Sequence, residues 1–76
     1  KNVEVDFFIP KNHRAIQVSY SLADNATKQR EVKALLKLSE IYAIDKLEII
    51  TWDEEYTIHE NRVTIQVVPI WKWLLE

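Results

Sequence analysis

The sequence of 76 residues contains no glycine and no cysteine, and each absence excludes a class of site. A phosphate-binding loop depends on glycine for positive φ angles and for close approach of the backbone to the phosphate. This sequence therefore has neither a Walker A loop nor a dinucleotide-binding fingerprint. Without cysteine it forms no disulfide and no thiolate site.

A strong charge of one sign and long apolar runs are also missing. The formal net charge is −2, so no overall basic field indicates nucleic acid as the main partner. No apolar run approaches the roughly 20 residues that cross a bilayer, and no signal peptide is recognisable. We therefore expect no membrane partner and a cytoplasmic location.

Hydrophobic residues make up 47% of the sequence, with three Trp, three Tyr and two Phe, which is enough for a packed core. The length suits one small domain. Since the chain begins at Lys1 instead of methionine, we expect residues 1–76 to be a single domain from a larger protein.

Hydrophobic periodicity predicts the order β-β-α-β-β-β-α, an α/β domain around a small mixed sheet. The strands are expected at 3–9, 16–22, 47–52, 56–59 and 62–68, and the helices at 26–43 and 69–76. The first helix, capped by Asp24 or Asn25, connects two strands that we expect to pair in parallel. Pro69 suits the first turn of the second helix.

The alternation of apolar and polar residues predicts which face of each strand is buried. In the first hairpin the apolar rows are Val3, Val5, Phe7, Ile9 and Ile16, Val18, Tyr20, Leu22. If both rows share one core, the opposite face is polar and carries Glu4, Asp6, Gln17 and Ser19. A two-residue turn at 60–61 closes the second hairpin. Ile58 then pairs with Val63, and the apolar residues of both strands lie on one side.

The polar face of the first hairpin resembles part of a metal-dependent nuclease site. Such a site needs carboxylates to hold Mg²⁺ and usually a lysine near the attacking water or the phosphate. Asp6 fits the first strand, but Gln17 and Ser19 stand where the second strand would carry a carboxylate and a lysine. Asp6, Gln17 and Ser19 are thus candidates for a vestigial catalytic site, and Glu4 with Asp6 for weak Mg²⁺ or Mn²⁺ binding. The alternative is a polar strand face without function.

Two helical surfaces are further candidates. The apolar arc of the first helix comprises Val32, Leu35, Leu36, Leu38, Ser39, Tyr42 and Ala43, and the opposite stripe comprises Arg30, Lys33 and Lys37. This basic stripe either contacts a nucleic-acid backbone or is a solvated face. In the last helix, Ile70, Trp73 and Leu74 form an apolar stripe. Trp71 and Leu75 lie off it, so they either complete the core or form an interface. His13 and His59 are expected to be exposed polar residues.

The motifs "EVDFFI…IQVSYSL…TKQREVKALLK…LEIITWDEE…VVPIWKWLL" resemble the C-terminal domain of bacterial and archaeal ATPases of the AAA type. That domain is of unknown function and is similar to PD-(D/E)XK nucleases. The resemblance covers nearly the whole chain and implies a restriction-endonuclease-like core. It also implies an N-terminal P-loop module in the same protein, which would bind ATP and Mg²⁺. Asp6 matches the nuclease motif, whereas Gln17 and Ser19 depart from it.

Three functional hypotheses follow from these residues and this resemblance. The first is a non-catalytic accessory or regulatory domain that binds the ATPase module of its own chain, or a second copy, through Trp71 and Leu75. The second is a metal-dependent nuclease that uses Asp6 and Glu4, with Gln17 as a further candidate. The third is a nucleic-acid-binding module without catalysis that uses the basic stripe.

Overall fold

The computed structural model of the protein describes residues 5–76, and it has the predicted order of strands and helices with one added 3₁₀ turn at Pro10–Asn12. The strands are β1 (Phe7–Ile9), β2 (Arg14–Val18), β3 (Lys46–Thr51), β4 (Tyr56–Glu60) and β5 (Val63–Pro69). The helices are α1 (Asn25–Ile41) and α2 (Ile70–Trp73). Val3 and Glu4, which the sequence places in the first strand, lie outside the described residues.

The strands form one mixed sheet of five strands in the order β1-β2-β3-β5-β4. The outer pairs, β1 with β2 and β4 with β5, are antiparallel. The inner pairs, β2 with β3 and β3 with β5, are parallel. The predicted parallel pairing across α1 is confirmed, and the small mixed sheet is confirmed with it.

Helix α1 packs on one face of the sheet, which we call the α1 face. Asp24 caps it, because its carboxylate accepts hydrogen bonds from the backbone N–H of Thr27 at 3.0 Å and from the Thr27 hydroxyl at 2.9 Å. The hydroxyl contributes most to lowering the pKa of Asp24. Buried residues of α1 are Val32, Leu35 and Leu38. The predicted arc is wrong at its end, where Tyr42 and Ala43 follow the helix and are exposed.

The core of the α1 face comprises the buried residues Ala15, Leu22, Val32, Leu35, Leu38, Leu47, Ile49, Ile58, Ile65 and Val67. Helix α2 contacts β3 and β5 on the other side of the sheet, which we call the α2 face. There Ile16 is 3% exposed and pairs with Glu48, while Val18 pairs with Ile50. Both faces of the sheet therefore carry buried apolar residues.

The predicted facing of the first hairpin is wrong. Phe8 and Ala15, which pair with each other, pack into the α1 core, whereas Phe7 is 58% exposed on the α2 face. Gln17 is buried rather than surface-polar, and Val18 is 49% exposed. The reason is that both faces of this sheet carry apolar residues, so alternation does not identify the face that packs against α1.

The second hairpin turns one residue later than predicted. Asn61 and Arg62 occupy the turn with φ angles of 53° and 66°, and Ile58 pairs with Ile65 instead of Val63. Both left-handed residues fit a two-residue hairpin turn. Because the pairing changes by two residues, the apolar residues stay on one side as expected. Pro69 ends β5 and precedes α2 instead of lying in its first turn.

Candidate functional site

The parallel strands β2, β3 and β5 end at the same edge of the sheet, at Val18, Thr51 and Pro69. In open α/β sheets, ligands bind outside the carboxyl ends of the strands. Two features of this chain meet there. A polar cluster of Asp6, Gln17 and Glu31 lies on the α1 face, and an aromatic groove lies on the α2 face.

The polar cluster is joined by three hydrogen bonds. The Gln17 side-chain oxygen Oε1 accepts from the backbone N–H of Asp6 at 2.7 Å, and Gln17 Nε2 donates to Oε1 of Glu31 at 2.7 Å. The Asp6 carboxylate in turn accepts from the backbone N–H of Val18 at 2.8 Å. Gln17 is only 4% exposed, so its amide needs a partner at each end.

The local sequence explains why these three side chains meet. Gln17 pairs with Ile49 on the α1 face, which directs its side chain toward the helix. β1 begins only at Phe7, so the Asp6 carboxylate, and not a strand carbonyl, receives the N–H of Val18. Glu31 lies in the second turn of α1, and its side chain reaches Gln17 on the sheet.

The electrostatics of the cluster concern mainly Glu31, whose side chain is 14% exposed. Burial, and then the negative charge of Asp6, raise the pKa of Glu31 above its ordinary value. Arg30, with Nη2 at 3.7 Å from Glu31 Oε2, and the hydrogen bond from Gln17 oppose this increase. Glu31 is thus easier to protonate than an ordinary glutamate.

The structure brings together two of the predicted site residues. Asp6 and Gln17 are bonded, but Gln17 lies under α1 and not on a polar surface. Ser19 belongs to the groove on the other face, and its hydroxyl donates to the Ser21 carbonyl at 3.0 Å. Glu4 is outside the described residues. Within residues 5–76 no three His, Cys, Asp or Glu side chains are grouped to hold a metal ion.

Glu31 is a cluster member that the sequence alone did not identify. A signal for it was present. Glu31, Leu35 and Leu38 have the spacing i, i+4, i+7 of one helix face, and the two leucines are buried. A carboxylate on the apolar face of an amphipathic helix indicates a polar partner on the sheet.

The aromatic groove lies at the same edge, on the α2 face, and has a volume of about 330 Å³. Its lining residues are Val18, Ser19, Tyr20, Ile50, Thr51, Trp52 and Ile70. The Tyr20 and Trp52 rings stack with centroids 6.1 Å apart and planes 14° from parallel. They are 76% and 58% exposed. Backbone hydrogen bonds from Ser19 to Ile50 at 2.9 Å and from Trp52 to Tyr20 at 3.0 Å hold the two walls together.

The acidic turn after β3 supports this groove through Glu54. The Glu54 carboxylate accepts from the backbone N–H of Leu22 and from the Ser21 hydroxyl, both at 2.8 Å. The Thr51 hydroxyl donates to the Glu54 carbonyl and accepts from its N–H, both at 3.0 Å. Glu54 therefore ties the segment after β2 to the segment after β3, which is a structural role.

Glu48 is a second buried acid, on the α2 face, where it is 1% exposed. The guanidinium of Arg14 contacts Glu48 Oε1 with both Nε and Nη2 at 2.7 Å, and Lys46 Nζ lies 3.6 Å from Oε2. The hydrogen bond with Glu48 is the main cause that raises the pKa of Arg14. Because each charge is paired, this network explains how a buried strand tolerates an acid.

Of the remaining candidate residues, only Arg30 contacts the polar cluster, through Glu31. Arg30, Lys33 and Lys37 are exposed, and within the described part of the chain no ion pair involves Lys33 or Lys37. His13 is exposed and lies 3.2 Å from Asp45, and His59 is exposed as well, as predicted.

Three apolar side chains at the end of the chain, which we call the α2 tail, are exposed. Trp71 is 57%, Leu74 68% and Leu75 79% exposed. The interpretation that Trp71 and Leu75 complete the core of the domain is therefore wrong, and so is the placing of Leu74 on a buried stripe. That they form an interface stays a prediction.

The comparisons with known proteins give one relative. An uncharacterized protein of the archaeon Methanocaldococcus jannaschii is 40% identical over 82 aligned positions, which cover 99% of this chain and 18% of the relative. The chain thus spans about a fifth of the length of the curated relative that it matches. No family model matches the chain, and no solved structure matches it. Within residues 5–76 no helix is long and apolar enough to cross a membrane.

Proposed function

We propose that this chain is a non-catalytic accessory or regulatory domain that docks on the rest of a larger protein. The observation that carries the proposal is the concentration of exposed apolar side chains around α2 and the groove: Val18, Tyr20, Trp52, Trp71, Leu74 and Leu75. Large apolar side chains exposed in one part of a small domain support an interaction site there. The coverage of 18% of the relative supports the same proposal, because that relative has much more chain than this domain.

The polar cluster supports a domain without catalysis. In the proposed PD-(D/E)XK-like core, Asp6 and residue 17 are two positions of the nuclease motif. The Asp6 backbone N–H does bond to the side chain of residue 17, but that residue is a neutral glutamine instead of a carboxylate. The Gln17 amide is occupied at both ends, and the Ser19 hydroxyl donates to the Ser21 carbonyl. Position 19, where the motif carries its lysine, is a serine. The site is thus a closed structural link with a lapsed nuclease motif.

The larger protein in this proposal is an AAA-type ATPase with a P-loop module N-terminal to this domain. The resemblance of "REVKALL" and "VPIWKWLL" supports this partner. Because the domain has no glycine, the ATP and Mg²⁺ sites belong to the other module. The proposed protein is cytoplasmic.

Two other functions each have one favourable observation. Glu31 adds a second carboxylate near Asp6, which favours residual binding of Mg²⁺ or Mn²⁺ and, through it, a nuclease. Lys33 and Lys37 are exposed on one side of α1, which favours binding of a nucleic-acid backbone.

The first experiment compares hydrogen–deuterium exchange in the full-length protein and in residues 1–76 alone. We expect slower exchange in the full-length protein at residues 18–20, 50–52 and 70–76, where the exposed apolar side chains lie. Equal exchange in both proteins would reject docking. The test variant is Leu75→Ser, on the proposed interface. The matched control is Asp45→Asn, because the Asp45 side chain is 79% exposed and lies before the start of β3, at the opposite edge of the sheet. Only Leu75→Ser should reduce the protection.

The second experiment tests the alternatives on residues 1–76. Mg²⁺ and Mn²⁺ are titrated while amide NMR spectra are recorded, and DNA cleavage and salt-dependent DNA binding are assayed. We expect no cleavage and no saturable shifts at Asp6, Gln17 and Glu31. Cleavage that Asp6→Asn abolishes would establish the nuclease instead. DNA binding that Lys33→Ala with Lys37→Ala weakens would establish the nucleic-acid-binding module.

A further inference from the structure

We infer that the aromatic groove binds an extended peptide segment that carries an arginine next to an aliphatic residue. This inference rests on the proposed function and deepens it, because it states what chemistry the docking partner brings to the groove. It is argued from the polarity of the lining, the charges at the rim and the aromatic pair.

The polarity of the lining requires an apolar occupant. Tyr20 and Trp52 each carry one polar group on an otherwise apolar ring. The remaining polar lining residues are Ser19 and Thr51. The Ser19 hydroxyl donates to the Ser21 carbonyl, and the Thr51 hydroxyl is bonded to both the N–H and the carbonyl of Glu54. Both hydroxyls are therefore engaged within the protein, and the surfaces left for a ligand are those of Val18 and Ile50 and the other apolar side chains. About 330 Å³ holds one or two aliphatic side chains.

The charges at the rim favour a cation beside that apolar residue. No lysine or arginine lines the groove. Asp53 follows the lining residue Trp52 directly and is exposed. Among the ion pairs of residues 5–76 none involves Asp53, whereas Lys72 on α2 is paired with Glu55. An exposed carboxylate next to a groove without basic lining residues disfavours the phosphates of a nucleic acid and attracts a basic side chain.

The aromatic pair favours arginine over lysine. The stacked rings of Tyr20 and Trp52 are more than half exposed, so part of their π-surface is open to solvent. A guanidinium is planar, stacks on aromatic faces and is weakly hydrated, and it can also form paired hydrogen bonds with a carboxylate such as that of Asp53. An arginine on the ring face and a leucine in the groove would use both features at once.

The test is an amide NMR titration of residues 1–76 with the peptide acetyl-Leu-Arg-Leu-amide. Matched peptides replace arginine by neutral citrulline, arginine by lysine, or both leucines by serine. We expect saturable shifts at residues 18–20 and 50–52 and at the Trp52 indole. The citrulline and serine peptides should each bind at least about fivefold more weakly, and the lysine peptide should lie in between.

Variants of the protein locate the contact. Trp52→Ala and Asp53→Asn should each weaken binding of the arginine peptide, while Asp45→Asn removes the same charge at the other end of β3 and should leave it unchanged. Trp52 is 58% exposed, so its substitution leaves the core intact, and Tyr20→Ser provides a second variant. Equal binding of the arginine and citrulline peptides, or no saturable shifts, would overturn the inference. A short oligothymidylate that binds at the same residues would also overturn it.

The two proposals fail in different ways. Protection of 70–76 in the full-length protein without peptide binding would retain the docking domain and reject an arginine segment as the occupant of the groove. Peptide binding without protection would retain the groove as a peptide site and reject docking on the rest of the same protein.

Discussion

Gln17 is a buried amide that connects three parts of the chain: the segment before β1, strand β2 and helix α1. One end accepts from the Asp6 N–H and the other donates to the Glu31 carboxylate. An amide is well suited to this position because it donates and accepts without carrying a charge. A glutamate here would face two other carboxylates. The residue that departs from the nuclease motif is therefore also the residue that connects the cluster.

Gln17→Leu should lower the free energy of unfolding by about 1–3 kcal/mol, because it leaves the Asp6 N–H and the partly buried Glu31 carboxylate without their partner. Urea denaturation measures the loss. The control is Ser19→Ala, which removes only a local bond to Ser21 and should change stability by no more than about 0.5 kcal/mol. If both variants were equally stable, the bonds of Gln17 would contribute nothing to the fold.

Glu31 should make stability fall as the pH rises. Its pKa is raised by burial and then by Asp6, so the folded state binds the proton more tightly than the unfolded state. Stability is then greatest below the ordinary pKa of 4.5 and decreases until the pH passes the raised pKa. Glu31→Gln removes this loss, so the variant should gain stability relative to the wild type between about pH 4 and about pH 7.

Chemical denaturation at the two pH values measures this gain. Glu40→Gln, an exposed glutamate on the same helix, is the matched control and should show a much smaller change. The quantity compared is the free energy of unfolding of Glu31→Gln minus that of the wild type. If this difference stays constant or decreases as the pH rises, the pKa of Glu31 is not raised by burial and by Asp6.

The sequence predicts the members of the polar cluster better than their surroundings. Asp6 and Gln17 were identified because they occupy two positions of a nuclease motif, and the structure places them in contact. The burial of Gln17 was not predictable from the alternation of residues 16–22, because Ile16 is buried too, on the other face. To identify Glu31 as a member, one must know which residues of α1 face which residues of the sheet, and only the packed structure shows this.

At the scale of elements, α1 was predicted to within two residues of each end, because the Asp24 cap and a long apolar period define it. The strand β3 was predicted equally well from a continuous apolar run. The first hairpin was predicted with the wrong face toward α1, since β1 has three residues and β2 has five. Strands this short contain too few alternations to identify a face.

The hairpin between β4 and β5 uses Arg62 at a φ of 66°, which explains why its turn was misplaced. Arg62→Gly should raise the free energy of unfolding by about 0.5–1 kcal/mol. Glycine removes the strain of about 1 kcal/mol that a left-handed conformation imposes on a residue with Cβ. The greater flexibility of glycine in the unfolded chain cancels part of this gain. Asn61→Gly should have a smaller effect, since asparagine tolerates φ > 0. Thermal unfolding measures both, and a less stable Arg62→Gly would contradict the assigned turn.

At the scale of the whole molecule, one sheet separates a closed side from an open side. Helix α1 has 17 residues and covers the α1 face, whereas α2 has four and leaves much of the α2 face and the carboxyl edge uncovered. The strand order β1-β2-β3-β5-β4 follows in part from the predicted crossover, but the parallel pairing of β3 with β5 was not predictable from local pattern. The open side is the surface that a docking domain requires.

The α2 tail should contribute to association and not to the stability of the isolated domain. Trp71→Ser with Leu75→Ser changes two exposed side chains, so the free energy of unfolding of residues 1–76 should change by no more than about 0.5 kcal/mol per substitution. Ile49→Ala, which empties a fully buried position, should cost about 2–5 kcal/mol. Sedimentation of the chain should show less self-association in the double variant, because apolar surface has been removed. A double variant as unstable as Ile49→Ala would place the α2 tail in the core of the domain and contradict its role in association.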